Sequence, residues 1–156
     1  MRAIKNSAPL ILEFNGSNHH AHTALFPIAQ GLSRFLGLNA VTDPADARTI
    51  VTKWLADLGL DTDQNRKVIL QVLNHGGDGD APVTLTDRDN PVGTMVSCFL
   101  KLTQKTPVLF IFEDVQWMDS GSLDLLGKLR QNLLRHPMFV LATSMTGSLH
   151  PRTAWA

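Results

Sequence analysis

The sequence predicts an α/β domain, a parallel sheet of about three strands flanked by helices, and three observations predict it. First, Val108-Leu109-Phe110-Ile111-Phe112 is apolar without a break, entered from Pro107 and stopped by Glu113-Asp114. Second, Met138-Phe139-Val140-Leu141-Ala142 repeats that pattern between Pro137 and Thr143-Ser144. Unbroken apolar runs of this kind suit strands covered on both faces, as in parallel sheets with helices above and below. Third, helical periodicities separate the strand candidates, and strand–helix–strand alternation is the mark of an α/β architecture.

Taken in order, Leu10-Ile11-Leu12-Glu13-Phe14 is the first strand candidate, closed by the turn signal Asn15-Gly16-Ser17. A helical insert is expected over 23–105. Its first helix, Thr23 to Leu38, sets Leu25, Ile28, Leu32, Phe35 and Leu36 at three- and four-residue steps. Asp43-Pro44, an N-cap followed by proline, opens a helix with Ile50, Val51, Trp54, Leu55 and Leu58 on one face. Val68, Ile69, Val72 and Leu73 mark another. The stretch 75–90, with Gly76, Gly77, Gly79, Pro82 and four aspartates, is expected to be a surface loop. Asn90-Pro91 then starts a helix carrying Val92, Met95, Val96, Phe99 and Leu102. After the strand over 108–114, Asp119-Ser120 caps a helix over 120–135, with Leu123, Leu126, Leu129, Leu133 and Leu134 as its apolar set. The last strand is expected over 138–144. The 156 residues fit one domain, 1–156, without internal repeats.

Composition removes several classes of function. Lys plus Arg and Asp plus Glu are both 14, so no overall positive field favours nucleic acid. The lone Cys98 rules out an internal disulfide framework and a four-cysteine zinc site, and fits a reducing cytoplasm. No apolar run approaches the roughly 18 residues of a membrane span. The expectation is a cytoplasmic domain with neither nucleic acid nor membrane as its partner.

Chemistry concentrates at the end of the central run. Four or more apolar residues followed by two acids, here Glu113 and Asp114, have the form of a Walker B motif. A buried strand delivers a carboxylate rigidly to the carboxyl edge of a sheet, where open α/β sheets bind ligands. In a nucleotide site one such acid helps hold Mg²⁺ through water and a neighbour polarises the attacking water. Successive strand side chains point to opposite faces, so the two acids share a task only if the chain turns between them. An acid in this position also serves simply to solvate a strand end or cap a helix.

The wider string is more specific. Glu113-Asp114-Val115-Gln116-Trp117-Met118-Asp119, followed by Ser120-Gly121-Ser122-Leu123-Asp124-Leu125-Leu126, resembles the "EDLHWAD-S-LELL" signature of AAA/STAND-type signalling ATPase domains. These domains accompany bacterial class III adenylate and guanylate cyclases and large LuxR-type regulators. Upstream, Ser17-Asn18-His19-His20-Ala21-His22-Thr23-Ala24-Leu25-Phe26-Pro27-Ile28 is similar to that family's "SPHHQNTALYPVI" segment. Downstream, 139–144 is similar to its fourth core strand, and Pro151 to Trp155 to a following "PPW". The resemblance implies a partial P-loop NTPase-like sheet and Mg-ATP as the cofactor of the complete domain. It implies Glu113 toward Mg²⁺ through water, Asp114 for water activation, and Thr143 and Ser144 on the nucleotide side. Asp119 is read either as the helix N-cap or as a further metal-side acid.

Departures from the pattern matter equally. No G-x-x-x-x-G-K-[ST] loop occurs in the 156 residues. The nearest string, Gly121 to Lys128, has one residue too many between its glycines and lies in a leucine-patterned helix. Met145 stands where the family usually has an arginine, and Gln116 replaces the commoner histidine. Phosphate binding in P-loop enzymes comes from the loop's N–H groups, a helix N-terminus and a lysine. The expectation is a fragment of a signalling ATPase domain that neither binds ATP strongly nor hydrolyses it alone. In the family the first core strand lies beside the fourth. Its loss leaves the 138–142 strand as an open apolar edge, free to pair with an N-terminal segment or a protein partner. The alternative is a non-catalytic interaction module of the same fold.

The remaining signals have plainer readings. His19, His20 and His22 form an H-H-x-H cluster that could ligate zinc, yet no Cys or carboxylate nearby in sequence completes a tetrahedral set. Asp78 and Asp80 lack the ligand series of a calcium loop. Cys98 beside Phe99 is expected in the core and His136 at a helix end, and Trp117 is expected to pack across the strand edge.

Overall fold

The computed structural model describes residues 8–39, 41–73 and 89–145. The glycine-rich stretch through Asp87 and the Pro151–Trp155 string lie outside the described residues. Three strands, β1 (Leu10–Asn15), β2 (Val108–Glu113) and β3 (Met138–Ala142), form a parallel sheet in the order β1-β2-β3. The register sets Leu12 beside Phe110 and Phe14 beside Phe112, then Phe110 beside Val140. Five helices accompany it: α1 (Phe26–Leu36), α2 (Pro44–Asp57), α3 (Asp63–Val72), α4 (Pro91–Thr103) and α5 (Ser120–Gln131). The α/β class, the three strands and the parallel sheet are as expected.

Each cap signal works locally. Asp43 accepts from the Ala45 N–H at the start of α2, and Asn90 from the Gly93 N–H at the start of α4. A signal not singled out in the sequence, Thr62, caps α3 through the Asn65 N–H. The expected 120–135 helix is two pieces, α5 and a 3-10 turn over Leu133–Arg135. Asn132 breaks it, its side chain donating to the Lys128 carbonyl at 2.9 Å while its backbone leaves helical geometry. Leu134, expected on the apolar face, is therefore fully exposed. The 138–144 strand ends at Ala142 and the 108–114 strand at Glu113, because Asp114 turns to φ 53°.

Burial along β2 alternates: Val108, Phe110 and Phe112 are buried, while Leu109 and Ile111 are half-buried and Glu113 is exposed. The expectation of helices on both faces is thus corrected. One face carries the core, with Phe14 at 5.0 Å from Phe112 and 5.7 Å from Phe99, and Phe99 at 5.4 Å from Phe110 by ring centroids. The opposite face presents Ile11, Phe139 and Leu141 at 52%, 66% and 45% exposure. Handedness supplies the reason. Crossovers between parallel strands are right-handed in about 98% of cases, so two that step in one direction put their helices on one side. An unbroken apolar run does not reveal which way the sheet is wound.

Close backbone approach fixes α1 against β1. A Cβ on Gly31 would meet the Phe14 ring at 2.4 Å and the Glu13 carbonyl at 2.5 Å, so only glycine fits there. Arg34, one turn on, donates to that same carbonyl at 2.9 Å. No described helix is long and apolar enough to cross a membrane.

Candidate functional site at the carboxyl edge of the sheet

β2 is the central strand, and it ends in the two acids. Glu113 is the last strand residue, paired in register with Asn15 of β1, and its side chain is exposed. Its backbone carbonyl accepts from the Gly16 N–H at 2.8 Å. That contact brings the β1 exit so close that a Cβ on Gly16 would lie 2.3 Å from the Asp114 carbonyl oxygen. Asp114 then leaves the strand in left-handed conformation, which aspartate tolerates better than most residues. The chain turns between the acids, so the strict alternation of a continuing strand does not govern Asp114. Both carboxylates reach solvent at the carboxyl edge.

A polar bridge ties this exit to that of β3. The Asp114 N–H donates to Thr143 Oγ1 at 3.2 Å and the Val115 N–H to the Thr143 carbonyl at 3.0 Å. Gln116 Nε2 donates to Asp114 Oδ1 at 3.3 Å, while Gln116 Oε1 accepts from Ser144 Oγ at 3.1 Å and from the Met145 N–H at 3.3 Å. Thr143 and Ser144, expected on the nucleotide side, stand at the carboxyl edge of the sheet with their hydroxyls engaged in fastening it. Gln116, which the sequence marked only as a departure from histidine, is the link between an acid and the β3 exit.

Asp119 is the N-cap of α5, nine-tenths buried, with Oδ1 accepting from the Ser122 N–H at 3.1 Å and Oδ2 from Ser122 Oγ at 2.6 Å. Both its oxygens are occupied by the helix end, and the cap reading is the one these bonds support. Trp117 is 42% exposed, and its backbone N–H closes a tight turn onto the Asp114 carbonyl at 2.9 Å. Asn15 Oδ1 is buried with no hydrogen-bond partner among the described residues, a feature that β1 patterning does not reveal.

The other sequence signals fall elsewhere. His20 stacks on Phe26 at 3.8 Å, and His22 lines a cavity of about 710 Å³ between the first turns of α4 and α5. Among the described residues no group of three or more His, Cys, Asp or Glu converges. Cys98 is fully buried, and desolvation pushes its thiol up to about 12, far from a nucleophile's range. His136 Nδ1 lies 3.0 Å from Thr103 Oγ1, which itself donates to the Leu100 carbonyl, so this pair joins the end of α4 to the entry of β3.

Chemically, the edge offers the exposed carboxylates of Glu113 and Asp114 and the exposed hydroxyl oxygens of Thr143 and Ser144 just past β3, a donor set that suits a hard, hydrated divalent cation. No lysine or arginine is among the residues that form it, and the N–H groups of Gly16, Asp114, Val115 and Met145 are already bonded within the protein. The residues present fit a magnesium ion and do not fit a polyphosphate. Comparison with known protein families, with curated proteins and with solved structures yields no match to this chain.

Proposed function

We propose that these residues are part of a signalling ATPase domain of the AAA/STAND type, contributing the acidic side of a Mg-ATP site without the phosphate-binding loop. The observation that carries this reading is the placement of Glu113 and Asp114 at the carboxyl end of the central parallel strand, with the chain turning between them. In a complete site Glu113 would hold magnesium through water and Asp114, oriented by Gln116, would take the proton side of water activation. Bound magnesium would supply charge neutralisation at the phosphates. Thr143 and Ser144 hold the edge in shape. Carboxylates facing phosphates without a compensating cation or free N–H group repel them, so the chain by itself neither grips nor hydrolyses ATP. A reducing cytoplasm is the compartment that suits this reading.

A second reading, a non-catalytic interaction module, is favoured by one specific observation. β3 is an edge strand of the sheet, and Phe139 and Leu141 on it are exposed. Both readings leave that edge for an N-terminal segment or a protein partner to occupy.

Paramagnetic line broadening by Mn²⁺, a probe for magnesium sites, tests the acidic edge. Amide signals of Asn15, Gly16, Glu113 and Asp114 are expected to broaden first, and Glu113→Gln to remove the effect. Broadening centred on the acids around α2, Asp43 and Asp46, with the sheet edge untouched, would contradict the assignment.

A further inference from the structure

Among the described residues the sheet has two outer strands, β1 and β3, and only β1 is blunted. On β1 the backbone groups of Glu13 point away from β2, and its carbonyl is taken by the Arg34 guanidinium at 2.9 Å. Glu13 also puts a charge on that strand. β3 has no such guard. Its residues, Met138–Ala142, include no charge, proline or glycine, and Phe139 and Leu141 are exposed. Natural sheets usually protect an outer strand with charge, proline or a covering group, because bare N–H and C=O groups recruit a further strand. A groove of about 380 Å³, lined in part by Leu126, Leu133 and Val140, flanks the same edge on the core side. We propose that β3 pairs antiparallel with β3 of a second copy of this chain, about a two-fold axis at Val140, joining two three-stranded sheets into one. This names the occupant of the edge that the interaction-module reading leaves open and rests on that reading; nucleotide plays no part in it.

The backbone sets the register. The Val108 N–H donates to the Pro137 carbonyl at 3.1 Å and the Thr143 N–H to the Phe112 carbonyl at 2.9 Å. By the alternation of a strand, Met138, Val140 and Ala142 therefore turn their N–H and C=O groups away from β2. These positions are symmetric about Val140, as a two-fold contact requires. The two Val140 residues exchange both their N–H···O bonds. The Ala142 N–H of each copy meets the Met138 carbonyl of the other, while the Met138 N–H stays with its own His136 carbonyl at 2.8 Å. On the open face Phe139 lies opposite Leu141 of the second copy, an aromatic–aliphatic pair in the closer, non-hydrogen-bonded positions.

Charge favours a second copy. Arg135 is exposed at the amino end of β3, and Glu113 and Asp114 are exposed at the carboxyl end of the sheet. Antiparallel pairing about Val140 brings Arg135 level with Met145 of the second copy. The Met145 N–H is held by the Gln116 side chain that also binds Asp114. The base of each copy thus approaches the acids of the other, twice over. The contact is small. A five-residue strand runs about 17 Å, at the low end of specific interfaces, so the dimer is reversible, with a midpoint on the order of 10 µM.

The test uses the full 156-residue chain. Sedimentation equilibrium is expected to show monomer and dimer in exchange. Hydrogen exchange at the Val140 and Ala142 amides is expected to slow about tenfold or more from dilute to concentrated protein. Two double variants read the register: Phe139→Glu with Leu141→Glu, and Phe139→Lys with Leu141→Lys. Both change only exposed positions, so the thermal midpoint is expected to hold. Each alone sets like charges opposite one another and is expected to weaken dimerisation about tenfold or more. Mixed in equal amounts, they are expected to form a heterodimer. Arg135→Glu is expected to weaken the unsubstituted dimer chiefly at low salt. A dimer that neither double variant weakens, or double variants that fail to pair when mixed, would overturn the proposal. So would a chain still monomeric at about 100 µM with both amides exchanging freely, a result that leaves the edge open to an unlike partner. A monomer with both amides already protected would overturn it together with the interaction-module reading, because the chain would then cover its own edge. Mg·ATP titration of the same sample bears on the ATPase proposal alone.

Discussion

Asp119 shows at one residue how a local bond decides between two roles. Its carboxylate serves both the Ser122 N–H and the Ser122 hydroxyl, in a site nine-tenths buried. Asp119→Ala is expected to cost about 1 kcal/mol, in the range of lost N-caps, read as a shift of the urea midpoint. An unchanged midpoint would mean that the cap adds nothing. Cys98 gives a pH dependence with a definite sign. Burial raises its thiol from 9.0 to about 12, so the unfolded chain loses this proton at lower pH than the folded one. Its contribution is whole below pH 9 and declines as pH rises toward 12. Replacing Cys98 with Ala should flatten that part of the stability profile, and a thiol reagent should label the native protein only as it unfolds. The cap and the buried cysteine were both legible in the sequence, because each depends on immediate neighbours or on a clear apolar face. Gln116 was not. Its partners, Ser144 and Met145, lie 28 and 29 residues away and meet it only once two strands are paired.

Elements were legible where a punctuating residue marked them. Asp43-Pro44 and Asn90-Pro91 start α2 and α4 at the prolines. The ends were less so: Asn132 stops α5 through a side-chain bond to a carbonyl, which leucine spacing through Leu133 and Leu134 conceals. The contact of α1 with β1 gives a prediction at this scale. Ala at position 31 gains about 1 kcal/mol of helix propensity over Gly, yet its Cβ would collide with Phe14 and with backbone. Overpacking of this kind typically costs about 1–3 kcal/mol, so Gly31→Ala is expected to be net destabilising by thermal unfolding. A more stable variant would show that α1 shifts freely over the sheet.

For the whole molecule, the winding of the sheet decides what the chain can do. Strand identity follows from apolar runs, but strand order follows from pairings that no run encodes. The reading of both faces as covered failed for that reason. Among the described residues, sequential steps in one direction leave Ile11, Phe139 and Leu141 exposed on one face and β3 at the end of the strand order, and they set the two acids at the carboxyl end of the middle strand. The acids were legible because a Walker B-like string is contiguous. The N–H donors used up by the Gly16 and Thr143 contacts were not, since they depend on neighbouring strand exits.

Calorimetric titration of the 156-residue chain with Mg·ATP is the most direct check on a site with acids and no phosphate grip. No saturable heat is expected across the micromolar range. Micromolar affinity that disappears in Glu113→Gln would contradict it.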